Sequence, residues 1–249
     1  MENTLSLLFM FFIGVLASLI NIMAGGGSIL TLGTMMLIGL DAPVANGTNR
    51  IGLLIESVSG ALAYASENVG NLKESLTLGF WALPGALIGV MFAINISNTA
   101  FQRILAVVMI CVVMTLIIPQ GSSIKRKNTP GKNKIFIYPI MFLIGLYGGF
   151  IQAGVGFLIM GSLRYLLHLD LVTINKHKVY IVLVYTIPTL FIFGFTQNIH
   201  WPYAVCLAAG NAAGAWLSVK ISVKKGENAV KIGLSIAILL MAIKFFFTF

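Results

Sequence analysis

The sequence predicts an all-α, polytopic membrane protein built from two inverted repeats. Three observations predict it. The 249 residues are 58% hydrophobic and only 9% charged, where soluble domains carry about 25% charged residues. Long apolar runs are broken by glycines at Gly25, Gly26 and Gly27 and again at Gly154 and Gly156. The second break repeats the first: shifted by 129, Ala24-Gly25-Gly26-Gly27 falls on Ala153-Gly154-Val155-Gly156, Leu40-Asp41 on Leu169-Asp170, and Asn46 on Asn175. The formal net charge of +9 does not point to nucleic acid, because the basic residues cluster between apolar spans.

Taken in order, residues 4–23 are long enough to span, since a crossing needs about 20 apolar residues. They lack the basic start of a cleaved signal, so a retained first span is expected. Residues 28–40 are short, and a polar loop from Asp41 to Asn49 follows them. Residues 50–66 are marginal and contain Glu56; 75–96 and 98–118 are full spans. The stretch Ser122–Lys134 holds five basic residues and separates a first repeat (1–121) from a second (134–249), with 122–133 as a cytoplasmic linker. The second half repeats the scheme with 135–152 long, 157–169 short, 179–195 marginal, and 201–220 and 228–248 long. Each half has an odd number of crossings whether the short helices span or re-enter, so the halves are inverted. Gly85 with Gly89, and Gly210 with Gly214, form small-residue faces for close helix packing.

Lysine and arginine set the orientation. With the linker inside, Lys73, Lys125, Arg126, Lys127, Lys132, Lys134, Lys220, Lys224, Lys225 and Lys231 are cytoplasmic, while Arg103 and Lys244 are external, as are both termini. The expected location is a prokaryotic inner membrane. Cys111 and Cys206 lie in apolar runs, and no metal-ligand or cofactor spacing, catalytic array or phosphate loop is present, so neither an enzyme nor a metal site is expected.

The candidate site is the pair of breaks and the polar segments after them. Irregular backbone in a bilayer must be buried in protein or line a wet cavity, and broken helices mark transport sites. Asn46, Thr48 and Asn49 read as the capped start of the next helix, where free amides and Arg50 would hold an anion. Asn175, His177 and Lys178 are the second copy. Asn21 and Gln152 precede the breaks and face the same cavity. The alternatives are a structural pairing of Arg50 with Asp41 or Glu56, and a cytoplasmic loop for Lys176–Lys178. Glu56 is a candidate proton carrier or a structural partner.

On Ala24-Gly25-Gly26-Gly27-Ser28 and Ala45-Asn46-Gly47-Thr48-Asn49, with the weaker Ala153-Gly154-Val155-Gly156 and Asn175, the chain resembles the sulfite exporter TauE/SafE family. It departs in having Gly33 where that family often has proline in the short helix. The resemblance implies transport, often export, of sulfite, a sulfonate or another small organic anion, such as an organosulfur compound or carboxylate. From the residues themselves, a proton or sodium ion is a possible coupling partner, with Glu56 as the proton candidate. A passive anion channel is the alternative. Substrate, direction and oligomeric state are not readable from the residues.

Overall fold

The computed structural model describes residues 4–67, 72–117 and 134–248. The expected linker 122–133 lies outside them, as do the side chains of the last part of the chain. Every regular element among the described residues is helical: α1 (Thr4–Met23), α2 (Gly27–Leu37), α3 (Ala42–Ser66), α4 (Leu72–Ala93), α5 (Asn98–Ile117), α6 (Ile137–Phe150), α7 (Val155–Leu167), α8 (Leu171–Phe195) and α9 (Trp201–Thr248). Four of these stretches are long and apolar enough to cross a membrane: Thr4–Met23, Leu72–Ala93, Leu171–Phe195 and Trp201–Lys224. Large apolar side chains such as Phe12, Phe80, Phe92 and Phe191 stand exposed on the outside, as lipid-facing residues do. The protein is a multi-pass membrane protein.

Packing follows the sequence repeat. α1 lies against α9, and α6 lies against α4; α3 meets α9, and α8 meets α4. The short α2 and α7 each fold back on the helix before and after them, and α3 and α8 meet each other. Small residues set the closest approaches. A Cβ added at Gly85 would stand 2.0 Å from the Phe142 carbonyl, and one at Gly210 would stand 2.1 Å from that of Phe11. The two small-residue faces are therefore packing surfaces, as expected.

Three expectations need correction. First, Asp41–Asn49 is not a loop. α3 begins at Ala42, with Asp41 at the cap position and Pro43 in its first turn, and α8 begins at Leu171 with Asp170 at its cap. Both helices have 25 residues; α8 is long and apolar enough to cross, so 179–195 is not marginal, whereas α3 is long but does not reach that apolarity, in keeping with the expectation for 50–66. The polar residues near these starts stay helical with their side chains bonded: Asn46, Thr48, Arg50, His177 and Lys178 find partners on the other half of the chain, and Asn49 and Asn175 find them on their own. Second, 201–220 and 228–248 are not separate helices. α9 runs through 48 residues, without the expected turn. No proline follows Pro202, and an interior glycine such as Gly226 costs only about 1 kcal/mol in a helix. Third, the expected long segment 135–152 is a 14-residue helix preceded by a single 3-10 turn, Lys134–Phe136.

The caps of α3 and α8 differ. Asp170 accepts from the N–H groups of Val172 and Thr173, both at 3.0 Å, and from the Thr173 hydroxyl at 2.6 Å. At α3 the Ala42 N–H donates instead to Asn98 Oδ1 at 2.6 Å, and Asn98 in turn donates to Asp41. Burial works against the Asp170 carboxylate, but the Thr173 and Val172 bonds outweigh it and hold its pKa below the ordinary value. A depressed carboxylate stabilises the fold above the unfolded pKa, about 3.9, and loses that contribution as pH falls through the folded value. Asp170→Ala is expected to cost about 1 kcal/mol at neutral pH. Melting curves in detergent at pH 7 and pH 3 check this: the gap between wild type and variant should narrow at the lower pH, and an equal gap at both would exclude the carboxylate cap.

Candidate functional site

Both first helices break at left-handed glycines. α1 ends at Met23 and Gly25 has φ +95°; α6 ends at Phe150 and Gly154 has φ +74°. The two breaks cross with their backbones in contact. A Cβ on Gly25 would lie 2.3 Å from the carbonyl carbon of Gly156, and one on Gly156 would lie 2.2 Å from the Gly25 Cα. The short helices α2 and α7 therefore start beside this crossing. Neither has a side-chain cap: the cap positions are Gly26 and Gly154. Since a helix start leaves its first amides without intrahelical acceptors, two sets of backbone donors converge here. The helix starts that matter are thus those of α2 and α7. Asn46 and Asn175 sit one turn inside α3 and α8, which corrects the expectation that they cap helix starts.

The two halves grip each other's broken helices. Arg50 of α3 is completely buried. Its Nη2 donates to the carbonyls of Gly148 at 2.8 Å and Gly149 at 2.6 Å, near the end of α6. Its Nη1 lies 3.4 Å from both Gln152 Oε1 and Thr189 Oγ1, and Phe193 stacks against the guanidinium at 5.4 Å. Lys178 of α8 does the converse. Its Nζ donates to Asn21 O and Ile22 O at the end of α1 and to Asn175 Oδ1, all at 2.8 Å. Carbonyls at a helix C-terminus carry partial negative charge, so each cation satisfies both the charge and the orphan acceptors of a break. Arg50 is therefore engaged mainly by carbonyls rather than paired with Asp41 or Glu56.

Residues related by the 129-residue shift take equivalent places. Asn46 Nδ2 donates to Phe150 O at 2.8 Å, and its counterpart Asn175 accepts from Lys178, which also holds Asn21 O. Thr31 donates to Asn49 Oδ1 at 2.6 Å, and their counterparts Met160 and Lys178 meet at 3.7 Å. Three buried donors in this layer have no acceptor among the described residues: Arg50 Nε, Asn49 Nδ2 and Asn175 Nδ2.

Beside the crossing is a cavity lined by Asn21, Glu56, Ser57, Gln152, Gly156 and Lys178 among others, with room for about one water (≈ 10 Å³). The halves are closed on it. Larger hollows, such as the one of ≈ 630 Å³ beside Phe92 and Phe150, are lined almost wholly by apolar groups and suit lipid chains. Of the residues expected in the site, Asn21, Glu56, Gln152, Gly156 and Lys178 meet at the cavity, and Arg50 joins them through Gln152. Gly27 packs against Ala17, where a Cβ would meet the carbonyl at 1.9 Å. Two expected residues lie elsewhere. Thr48 accepts from the His200 N–H at 2.9 Å, at the start of α9, and His177 bonds Ser75 of α4 at 2.9 Å. Tyr185, which accepts from Gln152 Nε2 at 2.8 Å, and Thr189 and Thr31 were not expected. Their one signal is polarity at single positions within apolar helices.

The profile of the sulfite exporter TauE/SafE family matches residues 10–245. The chain belongs to this family. A "probable membrane transporter protein ORF9" of Sinorhizobium is 24% identical to this chain over 238 residues, which is 96% of this TauE/SafE chain and 91% of the relative. A "probable membrane transporter protein" of Haemophilus influenzae is 21% identical, with 89% and 87% covered. The "probable membrane transporter protein YfcA" of Escherichia coli is 21% identical, with 93% and 86% covered. No solved structure matches this TauE/SafE chain.

Proposed function

We propose that this membrane transporter is a secondary transporter, working as an exporter, of a small anion such as sulfite, a sulfonate or a carboxylate. The observation that carries the reading is the meeting of two uncapped helix starts, α2 and α7, at the Gly25–Gly156 crossing. Donors from both halves converge there, and the unspent N–H groups of Arg50, Asn49 and Asn175 add to them. The family name supports sulfur oxyanions and the outward direction. The closed cavity favours alternating access over the passive channel, with inverted repeats 1–121 and 134–249 moving against each other in an inner membrane. The basic linker would be cytoplasmic and the termini external. The exchange of packing partners between the halves supports the repeat.

Asn49→Asp and Asn175→Asp test the site. Each keeps the oxygen that Thr31 or Lys178 already uses and turns the unspent donor into an acceptor. A hydrogen bond to a charged ligand is worth about 1.5–3 kcal/mol, so each variant should bind its anion about tenfold to a hundredfold more weakly. Binding of sulfite, methanesulfonate and acetate to purified protein measures it. Wild-type affinity in both variants would remove these donors from the site.

A further inference from the structure

Glu56 is 4% exposed and opens onto the closed cavity, where it accepts from Asn21 Nδ2 at 2.6 Å. Lys178 is the one other charged residue among those lining that cavity. Its three ammonium hydrogens are matched by three oxygens, Asn21 O, Ile22 O and Asn175 Oδ1, so none is left for a ligand. The other elements packed on α3 bring neutral groups near Glu56: Asn21 and Ser18 from α1, and Asn211 from α9, which approaches Gly52. α2 gives Thr31 to Asn49, and α5 meets α3 at the Asp41–Asn98 pair. Of the ionisable groups further off, Arg50 holds the α6 carbonyls, His177 bonds Ser75, Tyr185 bonds Gln152, and Lys220 pairs with Glu67 at 2.6 Å; Tyr64 is a buried phenol on α3.

Carbonyl ends of broken helices are where transporters of other folds coordinate sodium. Here Arg50 and Lys178 already fill both ends with tethered cations. Glu56 is then the one acid among the described residues lining the cavity, and it can carry a proton without loosening the hold on either break. We propose that Glu56 takes up one proton whenever the site takes up an anion, so that proton and anion cross together and sodium takes no part. The proton adds to a carboxylate oxygen and no other bond is made or broken. Two negative charges side by side in a dry site oppose each other, whereas a neutral Glu56 donates a hydrogen bond to the anion. For a monoanion the step is electroneutral, so flux follows the anion and pH gradients and ignores membrane potential.

This inference rests on the anion-transport reading, and the test separates the two. The full chain is reconstituted in weakly buffered vesicles and offered gradients of sulfite, methanesulfonate and acetate, with pH and anion both followed. Methanesulfonate brings no proton of its own at neutral pH, so proton movement with it belongs to the protein. With methanesulfonate, and above the rate in protein-free vesicles, the expected result is about one proton per anion, unchanged by replacing sodium with potassium or by clamping the potential. Glu56→Gln should lose that proton movement at least tenfold, and its remaining anion exchange should lose its pH dependence; Glu56→Asp should keep the proton. If none of the three anions moves faster than in protein-free vesicles, the anion-transport reading falls. Anion flux without a proton, a sodium requirement, or a Glu56→Gln that still moves one proton per anion overturns the inference. So does a Glu56→Asp that carries anion alone where Glu56→Gln is inactive.

Discussion

Gly25→Ala is expected to leave little or no folded protein. Two costs combine. Gly25 has φ +95°, which costs an alanine about 1–2 kcal/mol. The larger cost is contact: the new methyl would lie 2.3 Å from the Gly156 carbonyl carbon and 2.7 Å from the Phe157 nitrogen. These are backbone atoms of a second break, so no side chain can turn aside, and the two halves would have to separate. Gly39 supplies the control. Its φ of +94° is nearly the same, yet no atom lies within 4 Å of an added Cβ. Gly39→Ala should therefore lose only the conformational part and still be recovered as a single species from detergent. Comparing yield and melting midpoint of the two variants isolates the crossing, and equal stability would mean that the breaks do not touch.

Arg50→Ala is expected to destabilise the protein by about 2–6 kcal/mol, since two buried carbonyls lose their donor at about 1–3 kcal/mol each. It removes both donors from Gly148 O and Gly149 O, the group against Phe193, and the link to Gln152. Arg50→Lys should lose far less. Lys178 shows that an ammonium can hold two carbonyls at the end of a broken helix in the same protein. What lysine cannot reproduce is the planar fork reaching Gln152 and Thr189 while it holds α6. Thermal unfolding of both variants, read together with anion binding, decides the matter. An Arg50→Ala protein that melts with the wild type would show that the guanidinium does not secure α6.

The breaks were legible because glycines interrupt an otherwise continuous apolar run, and the repeat was legible because Gly25 and Gly154 stand at one spacing with Asn46 and Asn175. Asn21, Gln152 and Glu56 were legible as polar residues in apolar surroundings. The starts of α3 and α8 were not. Hydropathy reads Asp41–Asn49 as loop because it scores what a side chain would prefer beside water or lipid, and the partners of Asn46 and of the adjoining Arg50 are carbonyls about a hundred positions away. The role of Arg50 was hidden for the same reason: a carbonyl freed by a helix break leaves no mark on residue type. Thr48 and His177 misled because they have the chemistry of a binding residue but face His200 and Ser75. The length of α9 was missed because charged residues around Gly226 look like a turn, although nothing in them forbids a helix.

The reciprocal grip has a consequence for biogenesis. Arg50 precedes Gly148 and Gly149 in the chain, so the second break meets its counter-charge as soon as it is made. The first break has to wait. The Asn21 carbonyl is satisfied by Lys178, 157 residues later. At about 5–20 residues per second of synthesis, that delay is about 8–30 s. During it the end of α1 has unmatched acceptors. The nascent first half therefore needs the shelter of the insertion machinery or of water at the bilayer edge until α8 arrives. The order of synthesis makes one half the template and the other the closing piece.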